Sequence, residues 1–256
     1  MTRDFALLSD ALDIRKGQLV ALVGGGGKTG AMLTISRELA DRGWRVLAST
    51  TTRVGSSVAT SMPVLMMIGE EPPNELSQAM SESGRVFLSA GRGGDGKLLG
   101  VDPWTLTDIK ERRLADVVLV EADGARQMSL KAPGEHEPLI PQSADLVSPV
   151  AGLDALGLPI QEGSVHRPEF LRKLTSSSTV TPQVIADVLA ADAGGMKGVP
   201  ASAEVCPILN KLDTVTPDAA HEVASAILAR RPDRIRRVLL TNLHTREYRL
   251  VLPRRG

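Results

Sequence analysis

The chain has 256 residues, 42% of them apolar, with thirty basic and thirty acidic side chains that cancel and aromatics at only 2%. That length and apolar share suit one large α/β domain or two small ones with a real core. Balanced charge removes any net field toward nucleic acid or an anionic membrane, and the scarcity of aromatics removes the stacking platforms of single-strand binders.

Cys206 is the only cysteine, so internal disulfides and thiolate metal clusters are excluded, and a reducing compartment is the natural setting. Met1 to Gly17 carries Arg3, Asp4, Asp10, Asp13 and Arg15 and lacks the apolar centre of a signal peptide. No stretch reaches about 18 uncharged apolar residues, so no membrane span is expected and the cytoplasm is the predicted location.

In chain order, Phe5–Leu12 reads as a short amphipathic helix or turn, and residues 18–23 as the first strand. The apolar run then breaks into Gly24, Gly25, Gly26, Gly27, Lys28 and Thr29, ahead of a helical pattern over 28–42 that stops at Gly43. Trp44–Ser49 is the second strand and leads into Thr50, Thr51, Thr52 and Arg53. A strand at Val64–Ile68, a helix at Glu75–Ser83 after Pro72 and Pro73, and a strand at Arg85–Ser89 follow. The glycine-rich piece 91–96 lacks a lysine–hydroxyl ending and a following helix, so it is expected to turn a hairpin into Lys97–Val101.

Pro103–Arg113 reads as a helix and Asp116–Val120 as an apolar strand of the kind covered on both faces, ending in Glu121-Ala122-Asp123-Gly124. Proline and glycine then recur, giving a loop-rich excursion over residues 125–175 interrupted by one strand at Asp145–Val150. Helices are expected at Pro168–Leu174, Pro182–Ala191 and Pro217–Ala229, and strands at Val205–Leu209 and Arg237–Thr241, with a last strand or tail at Tyr248–Leu252. Alternating strands and helices predict a doubly wound, mostly parallel α/β sheet of the P-loop nucleoside triphosphate hydrolase kind, as one domain over 1–256.

Three loops leave carboxyl ends of strands with complementary chemistry, and in this architecture such loops converge. In the first, Gly24 to Gly27 let main-chain N–H groups curl inward around phosphates, Lys28 reaches the β and γ phosphates and Thr29 offers a hydroxyl to Mg²⁺. Leu22 stands where the longer form of this motif has glycine. In the second, Glu121 or Asp123 holds the metal, directly or through water, and Gly124 completes a Glu-x-x-Gly spacing suited to sensing a γ-phosphate. In the third, Asn210, Lys211 and Asp213 suit guanine. An ionised aspartate only accepts, matching the N1–H and N2 amino donors of guanine and opposing the N1 acceptor of adenine. Lys211 covers the purine with its stem and Asn210 braces the loop.

Arg53 is a candidate for neutralising charge on the transferring phosphoryl group, beside a threonine hydroxyl for the metal. Lys131, Glu135, His136, Glu137, His166 and Arg167 mark the excursion as a substrate or partner surface. No His-Glu-x-x-His or paired-cysteine spacing supports a transition-metal site.

Seven pieces carry a resemblance over nearly the whole chain. They are Val23-Gly-Gly-Gly-Gly-Lys-Thr29, Thr50-Thr-Thr52, Val120-Glu-Ala-Asp-Gly-Ala125, Leu130-Lys-Ala-Pro133, Glu137-Pro-Leu-Ile-Pro141, Val165-His-Arg-Pro-Glu169 and Leu209-Asn-Lys-Leu-Asp213. Together they resemble the YqeC family, whose members are described as accessory proteins of selenium-dependent molybdenum hydroxylases. The loops are also similar to the P-loop class that includes nickel-insertion GTPases and division-site ATPases. Val23 occupies the place where some of that class carry a lysine, which weighs against a lysine donated across a dimer; a homodimer is left open.

The leading expectation is a Mg²⁺-dependent, slow GTPase that assists maturation or cofactor loading of a molybdenum hydroxylase, with ATP as the alternative nucleotide. Two other classes stand beside it. One is a phosphoryl transferase or ligase whose anionic substrate is clamped by Lys131 and Arg167, and the other is a nucleotide-gated binding module without catalysis.

Overall fold

Strands whose side chains are apolar on both faces need cover on both, and this chain supplies it with helices. The computed structural model describes residues 1–68 and 73–253. The elements are β1 (Thr2–Phe5), α1 (Leu8–Ala11), β2 (Gln18–Gly24), α2 (Lys28–Ala40), β3 (Val46–Thr50), α3 (Ser57–Thr60), β4 (Val64–Met67), α4 (Pro73–Ser83) and β5 (Arg85–Ser89). They continue with α5 (Pro103–Glu111), β6 (Val117–Glu121), β7 (Leu146–Gly152), α6 (Pro168–Leu171), α7 (Pro182–Ala190), β8 (Glu204–Val205), β9 (Ile208–Asn210), α8 (Pro217–Arg230), β10 (Val238–Asn242) and β11 (Glu247–Val251). Short 3₁₀ turns at Leu153–Ala155 and Leu212–Thr214 follow β7 and β9.

The strands join in the order β1-β11-β10-β9-β7-β2-β6-β3-β5-β4, with β8 on β7. From β10 across to β4 every pairing is parallel, while β11 runs antiparallel to both β10 and β1. β2 sits in the middle, with Val20 opposite Leu119 of β6 and Leu146 of β7. Its alternate residues divide between two layers. Val20 and Leu22 pack with Met32, Ile35 and Leu39 of α2, and Leu19, Ala21 and Val23 pack with Leu106 and Ile109 of α5 on the opposite side. A third cluster joins α7 and α8 to Leu209 and Leu240. After β2 the chain builds β3, β4 and β5 on one side, returns to place β6, then crosses to β7. The strand order therefore reverses at β2, which opens a crevice at its carboxyl end.

Several elements differ from the sequence reading. Asp116 precedes its strand and Glu121 closes it, so this carboxylate is fixed by the sheet rather than by a loop. Residues 97–101 form no strand: Leu98 makes isolated bridges to Val54 and Arg92. Thr2–Phe5, expected in part as helix or turn, pairs with β11. The helix over 168–174 is confined to Pro168–Leu171. Pro72, read as a lead-in to α4, lies outside the described residues.

Candidate functional site

The loop after β2 is wedged between the ends of β7 and β9. Gly26 (φ +75°) and Gly27 (φ +132°) adopt backbone that side chains disfavour, and a Cβ would drive Gly26 into the main chain of Ala151 and Gly152, and Gly27 into the Asn210 amide. The first three glycine N–H groups are already engaged. Gly24 donates to both oxygens of Asp123 at 3.0 Å, Gly25 to the Val150 carbonyl at 2.9 Å, and Gly26 to the Met128 carbonyl at 2.9 Å. The sequence reading gave the phosphate cradle to the whole run from Gly24 to Thr29. The free donors begin later: Gly27, Lys28, Thr29 and Gly30 find no acceptor for their N–H groups among the described residues. These four open α2, where the helix dipole is positive, so an anion is favoured there.

Beneath the loop lies a chain of buried charges. Lys28 (4% exposed) donates to the Gly24 carbonyl and pairs with Asp123 at 3.2 Å and Glu121 at 3.6 Å. Thr29 Oγ1 donates to Glu121 Oε2 at 2.7 Å. Asp123 (1% exposed) also accepts from Lys131 Nζ at 2.8 Å. Lys131 completes its three bonds on the Gly124 carbonyl at 2.6 Å and Glu137 at 2.8 Å. Arg167 Nη1 meets the same Glu137 oxygen at 2.6 Å, and the Gly134 N–H donates to it at 3.1 Å. Positive and negative groups thus alternate from the loop lysine to the surface, and each buried charge has the partners that burial demands. Burial alone would push the Glu137 carboxyl up, but Lys131, Gly134 and Arg167 hold it below its usual range.

Lys131 was missed as a loop-bracing residue because Asp123, Gly124 and Glu137, near it in sequence, are brought onto its ammonium by the irregular turns of the excursion rather than by helix or strand spacing. The sequence reading paired it with Arg167 as a substrate clamp; its side chain is wholly buried and its three N–H bonds are taken, so it cannot clamp a substrate. Glu137 likewise faces inward, while Glu135 and His136 are exposed.

The segment after Asp123 returns over the loop. Met128 N–H closes on the Ala125 carbonyl at 2.9 Å, with Arg126 at φ +46° and Gln127 at φ +64°. A turn with two left-handed central residues ordinarily carries Asn-Gly, and a side chain there costs on the order of 1 kcal/mol. Met128 and Ser129 then press against Gly25.

On the other flank, Asn210 Nδ2 donates to the Gly26 carbonyl at 2.8 Å, and its Oδ1 accepts from Thr241 Oγ1 at 3.1 Å and Leu243 N–H at 3.3 Å. Lys211 bonds Asp154 at 2.7 Å and Ser129 at 2.8 Å. Asp213 lies in the following 3₁₀ turn, exposed, and lines a cavity of about 190 Å³ with His221, Leu240 and Glu247, which no residue of the glycine loop reaches. Arg53 is not brought to the cluster: it is exposed and lies 3.8 Å from Asp95 of the glycine-rich turn. Gly124 is half-buried, its carbonyl held by Lys131.

The donors suit a hard divalent cation. Thr29 Oγ1 and Glu121 lie together, and Thr51, whose N–H donates to the Glu121 carbonyl at 3.1 Å, has a buried hydroxyl without a partner. Among the described residues no three His, Cys, Asp or Glu side chains gather. Mg²⁺ fits such a set, because it is commonly held by one or two protein oxygens together with phosphate and water.

Strand, glycine loop and helix at the switch point of a doubly wound parallel sheet define a P-loop α/β protein. The glycine loop, Glu121, Asp123, Lys131, Glu137 and Arg167 fall within a stretch that matches a recognised family, and Asn210, Lys211 and Asp213 lie beyond it. Residues 20–169 match the family described as YqeC protein, and the chain belongs to that family. It is 32% identical over 199 residues, 76% of each chain, to the Escherichia coli K12 protein described as "Uncharacterized protein YqeC". Among solved structures it is similar to FtsY from Mycoplasma mycoides, with a TM-score of 0.46 and 14% identity over 95% of this chain and 66% of that one. It is also similar to chloroplast FtsY from Physcomitrella patens, with a TM-score of 0.41 and 14% identity over 86% of this chain and 58% of that one. No helix among the described residues is long and apolar enough to cross a membrane.

Proposed function

We propose that the protein binds GTP with Mg²⁺ and hydrolyses it slowly, acting as one unit in the cytoplasm to assist maturation of a molybdenum hydroxylase. The observation that carries the nucleotide reading is the meeting of unclaimed N–H groups at Gly27 to Gly30 with Lys28, Thr29 and Glu121. A terminal phosphate at the start of α2 draws Lys28 off the carboxylates. Asp123 keeps Lys131 and the Gly24 N–H, so the loop retains its anchor.

Thr29 and Glu121 are the metal-facing oxygens, and Asp123 is the loop's anchor. Mg²⁺ supplies charge neutralisation on the phosphate oxygens. In hydrolysis, water attacks the γ-phosphorus, the bond to the β–γ bridging oxygen breaks, and the proton leaves to solvent with inorganic phosphate. Asn210 ties the loop to the base-reading segment, and Asp213 selects guanine with Lys211 beside it. The hydroxylase role rests on the family's described association.

Isothermal titration with GTP and ATP in Mg²⁺ tests the reading. Wild type is expected to favour GTP by about tenfold or more, and Asp213→Asn to lose that preference. Equal affinities in the wild type remove the base assignment, and no binding of either nucleotide removes the nucleotide site.

A further inference from the structure

Two neighbouring parallel strands end side by side against the phosphate loop. Gly152, the last residue of β7, is paired in register with Asn210, the last residue of β9. Both touch Gly26: a Cβ there would collide with the Gly152 main chain, and the Asn210 amide bonds the Gly26 carbonyl. Asp154 and Lys211, just beyond these strand ends, therefore leave the sheet together at the rim of the loop. Asp154 lies in one 3₁₀ turn and Lys211 leads into the other, and the two turns share an apolar cluster through Leu153, Ala155 and Leu212.

Lys211 is fixed at both ends. Its main-chain carbonyl accepts from the Thr214 N–H at 3.1 Å and from Thr214 Oγ1 at 2.7 Å. Its Nζ donates to Asp154 Oδ2 at 2.7 Å and to Ser129 Oγ at 2.8 Å. Ser129 is itself pinned, because its carbonyl accepts the Gly152 N–H at 2.8 Å and its main chain packs on Gly25. Among the described residues Lys211 is the sole donor to the Asp154 carboxylate, whose other oxygen, Oδ1, is buried beside Gly152 without a partner. That ammonium holds the carboxylate and is held by it. Four methylenes strung between two fixed points form an apolar bar, and a planar ring can lie against such a stem. A free lysine would surrender its rotamers when a base arrived, whereas this one has surrendered them beforehand.

We propose that Asp154 is a positioning residue for the nucleobase: by pinning Lys211 Nζ beside Ser129 it presets the lysine stem as one wall of the base site. The inference rests on the guanine-nucleotide reading and deepens it, naming a group outside the base-reading segment that sets affinity for the base alone. Asp154 bonds neither the free N–H groups that open α2 nor the metal-facing oxygens of Thr29 and Glu121, so its effect is confined to the base end.

The test is isothermal titration of the full chain in Mg²⁺, with GTP in one arm and inorganic tripolyphosphate, which has no base, in the other. Wild type is expected to bind GTP more tightly. Asp154→Ala is expected to weaken GTP about three- to tenfold, the cost of ordering one long side chain on binding, and to leave tripolyphosphate unchanged. In a Lys211→Met background, which keeps an apolar stem without the ammonium, Asp154→Ala is expected to have no further effect. Equal losses for GTP and tripolyphosphate would make Asp154 a brace of the phosphate loop and overturn the proposal, as would an unchanged GTP affinity or a loss that persists in Lys211→Met. A wild type that binds GTP no more tightly than tripolyphosphate removes the base reading and this proposal with it, whereas failure at Asp154 alone leaves that reading standing. Both side chains of the pair keep about a third of their surface exposed, 37% for Lys211 and 35% for Asp154, so the exchange leaves the fold intact.

Discussion

A carboxylate with 1% of its surface exposed and two ammonium groups against it is an anchor before it is anything else. Asp123 holds the Gly24 N–H and both lysines, while Glu121 turns its Oε2 to the Thr29 hydroxyl. Their substitutions should therefore separate. Asp123→Asn leaves Lys131 and Lys28 short of charge in a buried place, and breaking a buried pair costs about 3–5 kcal/mol. In a chain of this size that lowers the melting temperature on the order of 10 °C. Glu121→Gln gives up only the longer 3.6 Å pair with Lys28 and leaves both Asp123 pairs in place, so it should shift the melt less while abolishing the Mg²⁺ dependence of nucleotide binding. Thermal melts and titrations with and without Mg²⁺ decide; a Glu121→Gln melt shifted as far as that of Asp123→Asn would refute the division. The sequence offered both acids as metal ligands because adjacency cannot distinguish them. What separates them is Lys131, eight residues beyond Asp123 and brought back to it only by the folded excursion. Similar blindness placed Arg53 at the phosphoryl group, when the threonine segment instead carries it to Asp95.

Three elements hold the loop shut: β7 through Val150, the returning segment through Met128, and β9 through Asn210. Asn210 spends its amide on Gly26 and its carbonyl on Thr241 and Leu243, so it ties the loop to two strand ends at once. Asn210→Ala leaves those buried groups unsatisfied, each at about 1–3 kcal/mol. The urea midpoint should fall with an unchanged slope, and nucleotide affinity should fall with it, since the loop loses its flank. An unaltered midpoint would show that the tie is slack. Central elements were legible in sequence for a physical reason: Leu19–Val23 and Val117–Val120 are apolar on both faces, as only strands with cover on both sides can be. Edge and connecting elements were not. Thr2-Arg3-Asp4 carries no apolar alternation and is a strand only because β11 offers it a partner. Leu98 looked like part of a hairpin strand, yet it exchanges both its main-chain bonds with Val54, and only its neighbours Lys97 and Leu99 bond the turn around Arg92. The engaged N–H groups of Gly25 and Gly26 were equally hidden, because their acceptors, Val150 and Met128, are main-chain carbonyls with no residue signature.

For the molecule as a whole, the ionisable groups set a window of stability with two different limits. On the acid side His166 is held neutral, so its folded pKa lies below the ordinary 6.5, first because it is buried and then because Lys131 and Arg167 face it. The unfolded chain then binds a proton that the folded chain refuses, and stability falls as pH drops below about 6.5. Glu137 and Asp116 have lowered folded values. In each, burial pushes the carboxyl up but is outweighed, by Lys131 and its neighbours for Glu137 and by Arg45 and Lys16 for Asp116. Their stabilisation is present above the unfolded carboxylate range and is lost on further acidification, steepening the decline. On the alkaline side burial pushes the Cys206 thiol from 9.0 up to about 11. A raised value for an acid whose neutral form is buried gives stability that is complete below 9.0 and lost as pH climbs through the interval to about 11. Urea midpoints should therefore be level from about pH 7 to pH 9 and decline on both sides. His166→Gln should erase the shoulder near pH 6.5 while leaving the alkaline limb, and Cys206→Ala should flatten the alkaline limb between about pH 9 and pH 10 while leaving the acid one, the decline at higher pH staying with Tyr248, whose phenol burial also pushes up. In native protein at pH 8 Cys206 should resist alkylation, because its thiol is buried and protonated, and should react only as the chain unfolds. An acid shoulder that survives His166→Gln would mean that another group sets it and that the fold does not hold His166 neutral.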